Sequence, residues 1–202
     1  MKKLNFSNSN IHVVMFHYVR EKEKKYPNLK ILEFSKFKSQ IDFLCKNYNI
    51  LSKKKFLEII HSKKLPRKPS ILLTFDDGYK DHYDYVFPYL LKKKITASFY
   101  VPVNPITNKI VLDVNKIQFI LSLGRDPKKI IKNIDNFLIK KSLRKLDLDK
   151  IHRKILKDGT ISPYDDKYTN LIKRVLQYIL PKKIRLEVIR YLLEDSIKIT
   201  EK

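Results

Sequence analysis

Ser70-Ile71-Leu72-Leu73-Thr74-Phe75-Asp76-Asp77-Gly78-Tyr79 decides how this chain is read. Ile71 to Phe75 form an unbroken apolar, β-branched and aromatic run, bounded before by Pro66 and Pro69 and after by Gly78. Such a run predicts a strand buried on both faces. It ends abruptly in two adjacent carboxylates and a glycine able to adopt a turn conformation that other residues avoid. Neighbouring side chains of an extended segment point in different directions, so Asp76 and Asp77 suit two tasks better than one shared proton. One can hold a divalent metal while the other takes a proton from the metal's water. The competing reading is that they only cap the following helix, where Asp is favoured. The strand context favours chemistry, because active sites gather at the carboxyl ends of parallel strands.

Working outward, Ile11 to Phe16 is a second apolar run, predicted as a strand ending at His17-Tyr18. If the two strands are parallel neighbours, His17 faces the same rim as the aspartates. His12, within the run, reads as an ordinary core or edge residue. Residues 21 to 33, charged and holding Pro27, read as a surface loop. Phe34, Phe37, Ile41, Leu44 and Tyr48 recur at helical spacing, with Ser35 as candidate N-cap and Cys45 as a buried structural thiol. Asn49-Ile50-Leu51 predicts a short strand, and a second helix carries Phe56, Leu57, Ile59 and Ile60, with His61 solvated at its end. After the aspartates, 79 to 94 reads as a helix with Tyr83, Val86, Phe87, Leu90 and Leu91 inward and a kink or break at Pro88. His82, in its first turn, is assigned to the surface or the surroundings of the site. Thr96 to Val103 predicts another buried strand. Strands alternating with helices from 11 to 103 imply parallel βα units, an α/β fold. From 111 onward five segments, 113 to 123, 127 to 141, 146 to 157, 166 to 180 and 182 to 195, carry apolar residues at helical spacing, punctuated by Gly124, Gly159, Pro163 and Pro181. His152 reads as a surface residue of this mostly helical half.

Thr74-Phe75-Asp76-Asp77-Gly78-Tyr79 resembles, residue for residue, the first motif of the NodB-homology polysaccharide deacetylases, carbohydrate esterase family 4. The resemblance extends over about residues 12 to 103. It implies a partial NodB-type (β/α) barrel with parallel strands over 1–104, followed by a helical insertion or extension over 105–202. It also implies Asp76 as catalytic base, Asp77 as ligand of a divalent metal such as zinc, and an N-acetylated glycan as substrate. Met15-Phe16-His17-Tyr18-Val19 resembles the amino-terminal segment of the poly-N-acetylglucosamine deacetylase branch, which makes His17 the general acid; Phe16 stands where a tyrosine is usual. The family draws two further metal ligands from a His-[Ser/Thr]-x-x-His motif, and no such pair occurs among His12, His17, His61, His82 and His152. An open catalytic zinc normally has three protein ligands. The ligand set is thus incomplete, and the expectation is a fragment of a longer deacetylase, inactive alone, with a non-catalytic carbohydrate-binding relative as the rival.

Composition narrows the classes. The 202 residues, 43% hydrophobic, suffice for one sizeable core with an elaboration. The net charge of +23 is mostly lysine and spread along the chain, so it argues against a specific nucleic-acid footprint, which clusters on one element. A single cysteine rules out an intramolecular disulfide and fits a reducing compartment. Met1 to Asn10 has no apolar core of a signal peptide, and no run approaches a membrane span, so a cytoplasmic location is expected. Adjacent carboxylates fit neither the D-x-D spacing of haloacid-dehalogenase-like phosphatases nor the separated pair of a glycosidase.

Overall fold

The computed structural model describes residues 10–143, 147–157, 162 and 164–197. The signal-peptide reading of 1–9, residue 146, the breaks expected at Gly159 and Pro163, and the ending from 198 lie outside them. The described residues fall into two compact units, Met1–Lys22 with Lys30–Asn108, and Glu23–Leu29 with Lys109–Lys202.

The first unit is α/β. Its strands are β1 (Ile11–Phe16), β2 (Asn49–Ile50), β3 (Ser70–Phe75) and β4 (Ser98–Phe99). All pair parallel to β3: β1 along its whole length, β2 at Ser70 and Ile71, β4 at Thr74 and Phe75. β3 is therefore central, and all six of its residues are buried, as its apolar run predicts. β1 has a single sheet neighbour among the described residues, and its Val13 and Met15 remain exposed. Helix α1 (Phe34–Asn47) buries Phe37, Ile41 and Leu44. These join Phe16, Val19, Ile71, Leu73, Phe75, Val86 and Leu90 in one core. Helix α2 (Lys53–Ser62) starts at Ser52, whose side chain accepts from the Lys55 N–H, one of the donors a helix start leaves without an intrahelical partner. His61 is exposed in its last turn.

Several local expectations are corrected. Ser35 lies inside α1, and Glu33 occupies the N-cap with no side-chain cap. Cys45 is exposed, because the helix buries only the stripe Phe37, Ile41, Leu44, and residue 45 lies one step past it. The helix after the aspartates is not broken at Pro88. It widens instead into a π-helical turn, His82–Val86, in which the Phe87 N–H donates to the His82 carbonyl, and then continues as α3 (Phe87–Lys92) with Pro88 in its first turn. There the missing proline N–H is tolerated. The wider turn resets the phase of the face. Val86 and Leu90 go inward as expected, whereas Tyr83, Phe87 and Leu91 are exposed and Asp81 and His82 are buried. The buried strand expected over 96 to 103 is reduced to Ser98–Phe99, and Phe99, Tyr100, Val101 and Val103 are exposed. A short helix, α4 (Val103–Asn108), takes up the end of that segment.

The second unit is helical: α5 (Asp113–Ser122), α6 (Pro127–Lys140), α7 (Leu148–Lys157), α8 (Lys167–Arg174) and α9 (Lys182–Ile197). Its core gathers Ile117, Ile120, Ile134, Leu138, Leu171, Val175, Val188 and Leu192, among others. A second π-helical turn, Val175–Ile179, extends α8 and stops just before Pro181. His152 is half-buried on α7. Among the described residues, no helix is long and apolar enough to cross a membrane.

Candidate active site

The register of β1 on β3 pairs Phe16 with Phe75, so the residues that follow, His17 and Asp76, leave the sheet side by side at its carboxyl edge. The Asp76 N–H donates to the Phe16 carbonyl at 3.0 Å, and the Tyr100 N–H donates to the Phe75 carbonyl at 2.8 Å. The backbone on which Asp76 stands is thereby tied to both neighbouring segments. His17, Asp76 and Asp77 are all half-buried, reachable from solvent at the edge.

After Asp76 the chain turns through two consecutive left-handed residues, Asp77 at φ 72° and Gly78 at φ 62°. For aspartate this conformation is uncommon and costs about 1 kcal/mol or more. At Gly78 a Cβ would lie 2.7 Å from Val101 Cγ1, so a side chain there would force the valine to shift. The turn therefore brings the 76–79 segment onto the end of the β4 segment.

The Tyr79 hydroxyl donates to Asp77 Oδ2 at 2.7 Å, and the Tyr79 ring stacks on Tyr18 at 4.1 Å between centroids. Burial, then the hydrogen bonds with Tyr18 and Asp77, push the Tyr79 hydroxyl far above its usual pKa of 10.0, so it stays a neutral donor. Beneath this layer His82 is 4% exposed, and its Nε2 lies 2.6 Å from the His17 carbonyl oxygen. Arg20 and Asp81 lie alongside at 3.6 Å.

Sequence reasoning put His17, Asp76 and Asp77 at strand ends, and the structure brings their backbones to one edge. His82, assigned to the surface or the surroundings of the site, belongs to the surroundings: it is buried against the His17 carbonyl, a contact between elements that sequence spacing does not show. Sequence reasoning missed the Tyr18–Tyr79 stack. A divalent metal fits this arrangement poorly. Asp77 is already engaged by Tyr79, and no group of three or more His, Cys, Asp and Glu side chains is gathered for an ion among the described residues.

The family model described as polysaccharide deacetylase matches residues 63–132. Comparison with curated proteins gave no match. Among solved structures, a de-N-acetylase from Aggregatibacter actinomycetemcomitans is 28% identical over 44% of this chain, with a TM-score of 0.37; the match spans 36% of that protein's length. The Streptococcus pyogenes deacetylase PplD, solved in complex with acetate, is 18% identical over 82% of this chain and 80% of its own, with a TM-score of 0.44. Over residues 63–132, which hold the aspartate pair, Gly78 and His82, this chain is thus a match to the polysaccharide deacetylase family.

Proposed function

We propose that this chain carries the catalytic edge of a glycan de-N-acetylase, in which Asp76 is the proton acceptor and His17 the proton donor. The observation that carries the proposal is the placement of Asp76 and His17 at the ends of two hydrogen-bonded parallel strands, within and beside the stretch that matches the deacetylase family. An acetamide is unactivated, so its hydrolysis needs a water stripped of a proton and a protonated amine to leave. Asp76 takes a proton from water as the oxygen attacks the acetyl carbon. His17, entering protonated, delivers its proton to the sugar nitrogen as the C–N bond breaks, giving acetate and a free amine. The resemblance to the NodB-homology family gives Asp77 a metal such as zinc. With Asp77 bound by Tyr79 and no three-ligand group among the described residues, no step is assigned to a metal here. The test is amine release from an N-acetylated oligosaccharide. Asp76→Asn and His17→Gln should each lower turnover by about a hundredfold or more with unchanged circular dichroism.

A second reading is favoured by the Tyr79–Asp77 hydrogen bond, which occupies one of the two carboxylate oxygens within the chain. On it the chain binds N-acetylated glycan without hydrolysing it. Saturable binding of the oligosaccharide, with no amine released by the parent protein at any divalent metal concentration, would select this reading over the first.

A further inference from the structure

We propose that His82 is a positioning residue, whose ring N–H fixes the end of β1 and thereby sets where His17 stands. The inference rests on the role proposed above for His17 and goes beyond it. Its starting point is the π-helical turn His82–Val86, of a kind that recurs at functional sites. The turn ends two residues before Pro88, whose ring would clash with the carbonyl four residues back in a regular helix. Residue 82 lies on the buried face with Val86 and Leu90, four and eight residues on, while the widened turn leaves Tyr83 73% exposed. The inward residue is a histidine caged by aromatic rings: Phe75 at 5.4 Å, Tyr79 at 5.7 Å and Phe99 at 6.1 Å between centroids.

A carbonyl oxygen only accepts, so Nε2, at 2.6 Å from the His17 oxygen, must carry the hydrogen. In the neutral ring Nδ1 is then the bare nitrogen, and it is buried with no hydrogen-bond partner among the described residues. A buried imidazole with one nitrogen unsatisfied is costly for a purely structural role, for which an apolar ring of the same shape would serve. What the imidazole adds is one directed donor, spent on the backbone of the residue proposed to protonate the leaving amine. His82 stands six residues after Asp76, so a single helix start ties the aspartate turn to the end of the neighbouring strand. Precise placement of a proton donor is worth an order of magnitude or more in rate.

Nitrogen-15 NMR of the histidine rings in the unaltered chain tests the tautomer first. We expect His82 to show a protonated Nε2 and a bare Nδ1; the opposite tautomer overturns the proposal. Three variants then separate positioning from packing. His82→Phe keeps the cage and removes the donor, His82→Gln keeps a donor, and Phe75→Leu disturbs the cage and leaves the donor. His82→Phe should shift the His17 ring signals and lower kcat about tenfold with KM within about twofold. His82→Gln should restore most of both, and Phe75→Leu should leave the His17 signals close to the parent's. Unmoved His17 signals in His82→Phe, or equal shifts in Phe75→Leu, overturn it. If His82→Phe does not fold, the tautomer and the His82→Gln signals decide. The ring signals report on His17 whether or not the chain turns over, so failure of this inference is distinct from failure of the deacetylase reading.

Discussion

Gly78 has two reasons to be glycine: its φ of 62°, and Val101 Cγ1 at 2.7 Å from where a Cβ would stand. Gly78→Ala should destabilise the chain by about 1–3 kcal/mol in urea unfolding. Val101→Ala in the Gly78→Ala background should return the steric share and leave the backbone share, which a double-mutant cycle resolves. Tyr79 gives a pH-dependent prediction. Its folded pKa is raised above the usual 10.0, first by burial and then by its bonds with Tyr18 and Asp77. A raised folded pKa means that its contribution to stability is fully present below about pH 10 and falls as pH rises above it, where the unfolded phenol ionises and the folded one does not. The parent should therefore lose stability on the alkaline side more steeply than Tyr79→Phe, as read by unfolding midpoints between about pH 9 and 11.

Strand β3 ends in a cluster of rings. Phe75 lies 5.1 Å from Phe16, 5.9 Å from Phe37 and 5.0 Å from Phe99, and is fully buried. Phe75→Ala should cost about 3–5 kcal/mol by denaturant unfolding, since truncation removes the ring contacts to Phe16, Phe37 and Phe99 and leaves a cavity. In the helical unit, α8 begins at Asp166, whose carboxylate accepts from the Tyr168 and Thr169 N–H groups at 2.8 and 3.0 Å. Burial raises its pKa, but the bonds from the Thr169 side chain and backbone and from Tyr168 outweigh it, leaving the value below 3.8. A depressed folded pKa places this contribution above the unfolded value and removes it as pH falls through the folded one. Asp166→Ala should cost about 1 kcal/mol at neutral pH and less in acid.

For the molecule as a whole, a net charge of +23 on 202 residues dominates. The excess is lysine distributed along both units, so the folded state carries self-repulsion that salt screens over about 8–10 Å at physiological strength. Raising sodium chloride from about 20 to 500 mM should therefore raise the thermal midpoint. A falling midpoint would mean that the ion pairs, such as Arg125–Asp195 at 2.8 Å and Lys141–Glu187 at 2.9 Å, outweigh the repulsion.

The sequence by itself determined the parallel βα character of the first hundred residues, the central buried strand, the aspartate turn and the helical second half. These are properties of local pattern: an apolar run of strand length, carboxylates at its end, a glycine where φ turns positive, and apolar residues at helical spacing. Tertiary structure alone decided which faces were covered. Val13, Met15, Phe99 and Tyr100 look like core in sequence and stay exposed at a sheet edge, because burial depends on what packs against a strand and not on its own residues. His82 went the other way. It lies four residues before Val86 and eight before Leu90, on the face that packs inward, and its polar residue type gave no sign of burial; the π-helical turn, which adds one residue to one hydrogen-bonded loop, turned Tyr83 outward instead. A change of phase of that size leaves no periodic trace in the sequence, and only the packing of α3 on the sheet reveals it.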